Sequence, residues 1–119
     1  MISVQIFISN LFDKFIGEIM KIAHLRTYTM NSGQMDSWLT LFENKLIPLM
    51  EKHGIKVESY WVNEENTQFI WIRSYGNSIK NIKQKEDSFY GSEWWKKNVD
   101  FVRGHISHRE IKLIYDGSV

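Results

Sequence analysis

The chain has 119 residues, no cysteine and a single proline. Without cysteine there is no disulfide framework, no thiolate metal site and no cysteine nucleophile. A reducing compartment fits, and the cytoplasm is the expected location. A surplus of one charge sign is also missing. Fifteen basic and fourteen acidic residues give a formal charge of +1, too balanced to imply a nucleic acid, a membrane surface or an acidic substrate. No apolar run approaches the roughly 18 residues that a membrane span needs. The sequence has no P-loop, no Rossmann glycine pattern and no nucleophile elbow, no low-complexity tract and no repeat at a solenoid period. Composition and pattern therefore suggest a fold and an assembly without naming a reaction.

What is present reads as one ordinary globular domain. Hydrophobic residues make up 43% of the chain and charged residues 24%, far from the polar compositions that stay disordered. The length suits a single core. The opening MISVQIFISNLFDKFIGEIM (1–20) is apolar, but it carries Asp13 inside the run and no basic residue before Lys14, so it matches neither a signal peptide nor a span. Two readings stand for it: an N-terminal extension with an amphipathic helix over about 10–20, or a start-site artefact with Met20 as the true beginning. The domain proper is expected over 21–119.

From Lys21 onward the punctuation is clear. KIAHLRTYTM (21–30) reads as a first strand, closed by the turn cluster Asn31, Ser32 and Gly33. Met35, Trp38, Leu39, Phe42, Leu46, Leu49 and Met50 then recur at helical spacing. Pro48 falls inside that helix and predicts a kink, and Gly54 stands where a left-handed cap is wanted. IKVESYWV (55–62) and QFIWIRSY (68–75) read as a hairpin around NEENT (63–67). Asn77 and Ser78 precede a thinner helical stripe of Ile79, Ile82, Phe89 and Tyr90. Gly91 breaks it, and Ser92 restarts a helix through Trp94, Trp95, Val99, Val102 and Ile106, ending near Gly104. REIKLIYD (109–116) supplies a last strand. The order βαββαβ predicts an α+β, ferredoxin-like domain with a four-stranded antiparallel sheet.

Strand three carries apolar residues on both faces, Phe69 and Trp71 on one and Ile70 and Ile72 on the other. Strand two does likewise, with Val57 and Trp61 expected on one side and Tyr60 and Val62 on the other. In a ferredoxin-like domain both helices cover one sheet face, and apolar runs on both faces mark a sheet that is sandwiched. Each buried aromatic removes about 150–250 Å² from water, so three contribute at most about 10 kcal/mol or somewhat more. That is comparable with an association cost of about 4–15 kcal/mol. A homodimer with its sheets apposed, a dimeric α/β barrel enclosing a cavity between the sheets, is the expectation.

LRTYTM (25–30), the Gly33 turn, LFENKLIPLMEKHG (41–54), the Trp61 strand, WIRSY (71–75) with Asn77 and Ser78, and SEWW (92–95) resemble the NIPSNAP family over about residues 22–115. The resemblance implies the dimeric α/β-barrel superfamily, whose members include cofactor-free monooxygenases and haem-degrading enzymes. It implies no settled activity. The family often carries His at the place of Trp71 and Trp at that of Arg73, and this sequence departs from both.

Strand alternation groups His24, Arg26 and Tyr28, and groups Trp71, Arg73 and Tyr75; with Trp61 these are the candidate ligand-binding residues. A buried guanidinium cannot shed its charge and would pair with a carboxylate, phosphate or enolate. The tyrosines could orient a hydroxyl or carbonyl, and His24 could take a proton near neutral pH. The competing reading is structural, with Arg26 and Arg73 in ion pairs, Glu58 being one partner. His105 and His108 have spacing that a metal can use, yet they straddle a helix end without a placed third ligand, so a surface pair is expected and no metal. No histidine stands out as a haem ligand, and no cofactor is expected. Lys80, Lys83, Lys85, Lys96 and Lys97 near Phe89, Tyr90, Trp94 and Trp95 read as a solvated face, because Glu86, Asp87 and Glu93 interrupt them. The functional expectation is a homodimer that binds or transforms a small molecule, in the manner of a cofactor-free oxygenase or isomerase; the alternative is a noncatalytic interaction module.

Overall fold

A computed structural model of the chain describes residues 21–118. Both readings of residues 1–20 lie outside the described residues. The order is β1 (Ile22–Met30), α1 (Met35–Lys52), β2 (Lys56–Val62), β3 (Gln68–Ser74), α2 (Lys80–Tyr90), α3 (Glu93–Arg103) and β4 (Ile106–Tyr115). The four strands form one antiparallel sheet in the order β2-β3-β1-β4, so the fold is the α+β, ferredoxin-like arrangement. Each strand boundary lies within about three residues of its expected place, as strand ends usually do.

Local chemistry explains the connections. In the hairpin, Asn63 Oδ1 accepts from the backbone N–H groups of Thr67 and Gln68, both at 2.8 Å, and the asparagine side chain closes the loop as a surrogate backbone. At the end of α1, Gly54 adopts φ +81°, the Ile55 N–H returns to the Met50 carbonyl at 2.9 Å and the Gly54 N–H to that of Glu51 at 3.0 Å. These two bonds are a Schellman cap. Ser92 begins α3 by accepting from the Trp95 N–H.

Three features differ from expectation. Helix α1 does not simply kink at Pro48. It runs as α-helix over Met35–Leu41, as π-helix over Phe42–Leu46 and as α-helix again over Ile47–Lys52. The wider turn sits directly ahead of the proline, where an ordinary helix would drive the ring into the carbonyl one turn back. In β2 the register shifts between Val57 and Ser59. This bulge turns Val57 to the helix side, opposite Arg73 and with Tyr60 and Val62, so Val57 and Trp61 do not share a face. Ile106 opens β4 rather than closing α3.

The core lies between the sheet and the helices. Tyr28, Phe69, Trp71 and Tyr75 from the sheet meet Trp38, Phe42, Met50, Phe89, Trp95 and Val102 from the helices. The opposite sheet face carries Leu25, Thr27, Ile70, Ile72 and Ile114, all half-buried, and Trp61, which is 65% exposed. Among the described residues no helix is long and apolar enough to cross a membrane.

A buried arginine cluster beside a small cavity

The register of β1 against β3 places His24 opposite Arg73 and Arg26 opposite Trp71. Paired residues of an antiparallel sheet share a face, so His24, Arg26, Tyr28, Trp71, Arg73 and Tyr75 all point toward the helices. The structure thus brings six of the seven sequence candidates together. It places them within one subunit, under the helices, and not on the face that an apposed sheet would cover. Trp61, paired with Ile70, lies on that other face and does not join them.

Helix α2 supplies the counter-charge. Glu86 Oε2 accepts from Arg73 Nη2 at 2.6 Å, from Arg26 Nη2 at 3.2 Å and from the Tyr75 hydroxyl at 3.1 Å. Arg73 also donates from Nε to Tyr75 Oη at 2.6 Å and from Nη2 to Tyr90 Oη at 2.9 Å. Arg26 Nη1 donates to Tyr28 Oη at 2.9 Å. Both guanidinium carbons lie over the Trp71 ring, 5.5 Å from its centroid for Arg73 and 5.8 Å for Arg26, a cation–π arrangement that suits a desolvated charge. The two arginine side chains are 2% and 3% exposed. Two buried cations therefore share one carboxylate, and the cluster holds an excess positive charge.

That excess shapes the titrating groups. Burial, and then the Arg26 charge, bring the His24 pKa down to about 4, with Glu86 opposing and Arg73 assisting. Its ring is neutral near pH 7 and too weak a base for the proton abstraction the sequence suggested. His24 Nδ1 lies 2.9 Å from Tyr75 Oη and 3.3 Å from Arg26 Nη2, so in this neutral ring Nδ1 is the acceptor and the proton belongs on Nε2. Burial raises the Tyr75 hydroxyl to about 12 against the pull of Arg73 and Arg26, so Tyr75 acts as a neutral donor and acceptor.

Beside the cluster is a cavity of about 30 Å³, room for a water or a small polar group. Trp38, Met50, Trp71, Arg73, Tyr90 and Val102 line its buried part, and the exposed Arg103 and Arg109 stand at its rim. The buried Nε1 donors of two lining residues, Trp38 and Trp71, have no hydrogen-bond partner among the described residues. The Arg73 Nη1 group reaches only the Met50 sulfur, at 3.8 Å, a weak acceptor.

Other sequence readings resolve plainly. Glu58 is not the partner of either arginine; it accepts from Ser74 at 2.7 Å and pairs with Lys21 at 3.3 Å. His105 is buried, bonded to Ser37 and to the carbonyls of Phe101 and Val102, while His108 is exposed on β4. Among the described residues no group of three or more His, Asp or Glu is placed to hold a metal. Phe89 and Trp95 face the core rather than joining a lysine surface. Glu86 was missed as the central acceptor, although its helical spacing from Ile82, Phe89 and Tyr90, which pack on the core, sets it toward the inner face.

The NIPSNAP family model matches residues 23–116. No curated protein matches the sequence significantly. A solved structure of a NIPSNAP family protein of unknown function from Agrobacterium tumefaciens is 18% identical and superposes with a TM-score of 0.72 over 80% of this chain and 86% of that one. An uncharacterized NIPSNAP-like domain protein from Burkholderia xenovorans is 12% identical, with a TM-score of 0.73 over 82% and 86% of the two chains. SnoaB, a cofactor-independent oxygenase from Streptomyces nogalater, solved as a variant, is 8% identical with a TM-score of 0.64 over 83% and 95%. At these identities the likeness to the solved structures is one of fold.

Proposed function

The chain belongs to the NIPSNAP family, and on that premise we propose that it is a homodimer that binds a small acceptor-bearing molecule between the sheet and the helices of each subunit. The observation that carries this is a pair of buried indole donors without a partner among the described residues, Trp38 Nε1 and Trp71 Nε1, on two side chains that line one cavity. A buried donor without a partner costs about 1–3 kcal/mol, and a ligand carbonyl or carboxylate would recover it. A fold neighbour, SnoaB, is a cofactor-independent oxygenase; that supports the use of this fold around a small molecule. Dimerisation is supported by the apolar residues of the sheet face that no described helix covers, Leu25, Ile70, Ile72, Ile114 and Trp61.

The cavity volume of about 30 Å³ favours a second reading, in which the arginine cluster is structural and the dimer is a noncatalytic module. A thermal-shift panel of aromatic and aliphatic carbonyl compounds separates the two. A ligand specific to the native state raises the wild-type midpoint with concentration, and Arg73→Ala removes that rise while the dimer persists. A wild-type midpoint that no compound moves, with Arg73→Ala changing stability alone, would establish the second reading.

A further inference from the structure

We infer that the ligand is a monoanion with an apolar body, a carboxylate that enters past Arg103 and Arg109 and sets its head group against Arg73 and the two indole donors. This rests on the small-molecule reading above and names the charge class of its ligand.

The lining is chemically one-sided. Three arginines, Arg73, Arg103 and Arg109, border the cavity, and the remaining lining residues are aromatic or aliphatic, with no carboxylate among them. The acid paired with Arg73, Glu86, already serves Arg26, Arg73 and Tyr75 through one oxygen. It balances one of the two buried guanidiniums, and among the described residues the other charge has no carboxylate of its own. Arg73 and Met50 both line the cavity, and the contact of Arg73 Nη1 is the Met50 thioether at 3.8 Å, a weak acceptor that a carboxylate would improve on. A neutral carbonyl would satisfy an indole N–H but leave the charge excess in place; a carboxylate answers both, by charge-assisted hydrogen bonds. The volume of about 30 Å³ is on the scale of a carboxylate group, so the apolar body lies outward, past Trp95 and Ile106 toward the rim. There the exposed Arg103 and Arg109 provide the positive field that draws an anion in.

Titration calorimetry on the full chain with isosteric pairs tests this. Benzoate and benzamide differ in charge and hardly in shape, and butyrate and butyramide repeat the comparison with a slimmer body. At low ionic strength the acid of at least one pair is expected to bind at least tenfold more tightly than its amide. Raising the salt should narrow the gap. Arg109→Gln, on the surface of β4, should weaken the acid several-fold and leave the amide and the melting temperature unchanged. Amides that bind as tightly as the acids overturn the anion inference and leave the small-molecule reading standing. If neither pair binds, the small-molecule reading falls, and this inference with it. An acid affinity unaffected in Arg109→Gln removes the rim from the proposal.

Discussion

The Tyr75 hydroxyl has one hydrogen and three polar neighbours: it accepts from Arg73 Nε and faces both His24 Nδ1 at 2.9 Å and Glu86 Oε2 at 3.1 Å. Arg26 Nη2, which can only donate, lies 3.3 Å from His24 Nδ1, so a second proton on the ring would bring a cation against a guanidinium. The unfolded chain takes up a proton on this imidazole near 6.5 and the folded chain only near 4, so between those values the unfolded state binds more protons. The contribution of His24 is therefore complete above about pH 6.5 and is lost as pH falls toward 4. With allowance for the partial exposure of the ring, about 1 kcal/mol should disappear between pH 7 and pH 5. Urea unfolding at the two pH values measures it, and His24→Asn, which keeps an acceptor but cannot titrate, should lose about that much less. Equal pH slopes for the two proteins would remove His24 from the account. At this scale the candidates on β1 and β3 were legible because alternation within a strand is local. Glu86 was not, since nothing in a helix sequence says which strand residues will lie beneath it, and the role of His24 as acceptor rather than base follows from two arginines that only the fold brings near.

Among the elements, the end of α1 was the easiest to read. Gly54 was expected at a left-handed cap and has φ +81° there, with a Cβ position 3.1 Å from the end of the flexible Lys85 side chain. The neighbour can yield but the backbone angle cannot, so Gly54→Ala should cost about 1 kcal/mol. Gly54→Asn, which tolerates this conformation better, should cost less, by urea unfolding. Two substitutions of equal cost would point to the Lys85 contact rather than the backbone. The π segment was only half legible. Pro48 announces an irregularity, but a kink and a widened turn both accommodate a missing N–H, and the choice between them depends on keeping Phe42, Leu46 and Met50 all buried. The β2 bulge left no mark in the sequence, because it is a relation between β2 and β3 and neither strand encodes it alone. That single shift explains why Val57 changed face while Tyr60, Trp61 and Val62 kept the expected alternation.

At the scale of the whole molecule, the two apolar faces of the sheet are covered differently. Phe69 and Trp71 are buried by the chain's own helices, at 0% and 2% exposure, so the aromatic contribution counted toward association is spent inside the subunit. On the opposite sheet face the apolar residues left for a partner are Leu25, Ile70, Ile72, Ile114 and Trp61, a smaller set, flanked on β4 by the charged Lys112 and Glu110. Of these, Trp61 is the largest apolar side chain and, at 65% exposure, the one with most apolar area left to bury. Light scattering at micromolar concentration should give twice the chain mass of 14.2 kDa. Ile72→Glu, which sets a carboxylate in the middle of the open face opposite Leu25 and Ser59, should give the monomer mass with unchanged secondary structure by circular dichroism, since a buried unpaired charge costs an interface several kcal/mol. The cavity lies on the other side of the sheet, so the monomeric variant should retain whatever ligand affinity the wild type has. A wild type that scatters as a monomer would leave this face to solvent and remove the dimer; a variant that loses both dimer and ligand would show that the sheet transmits the association to the arginine cluster, and that the two faces work as one unit.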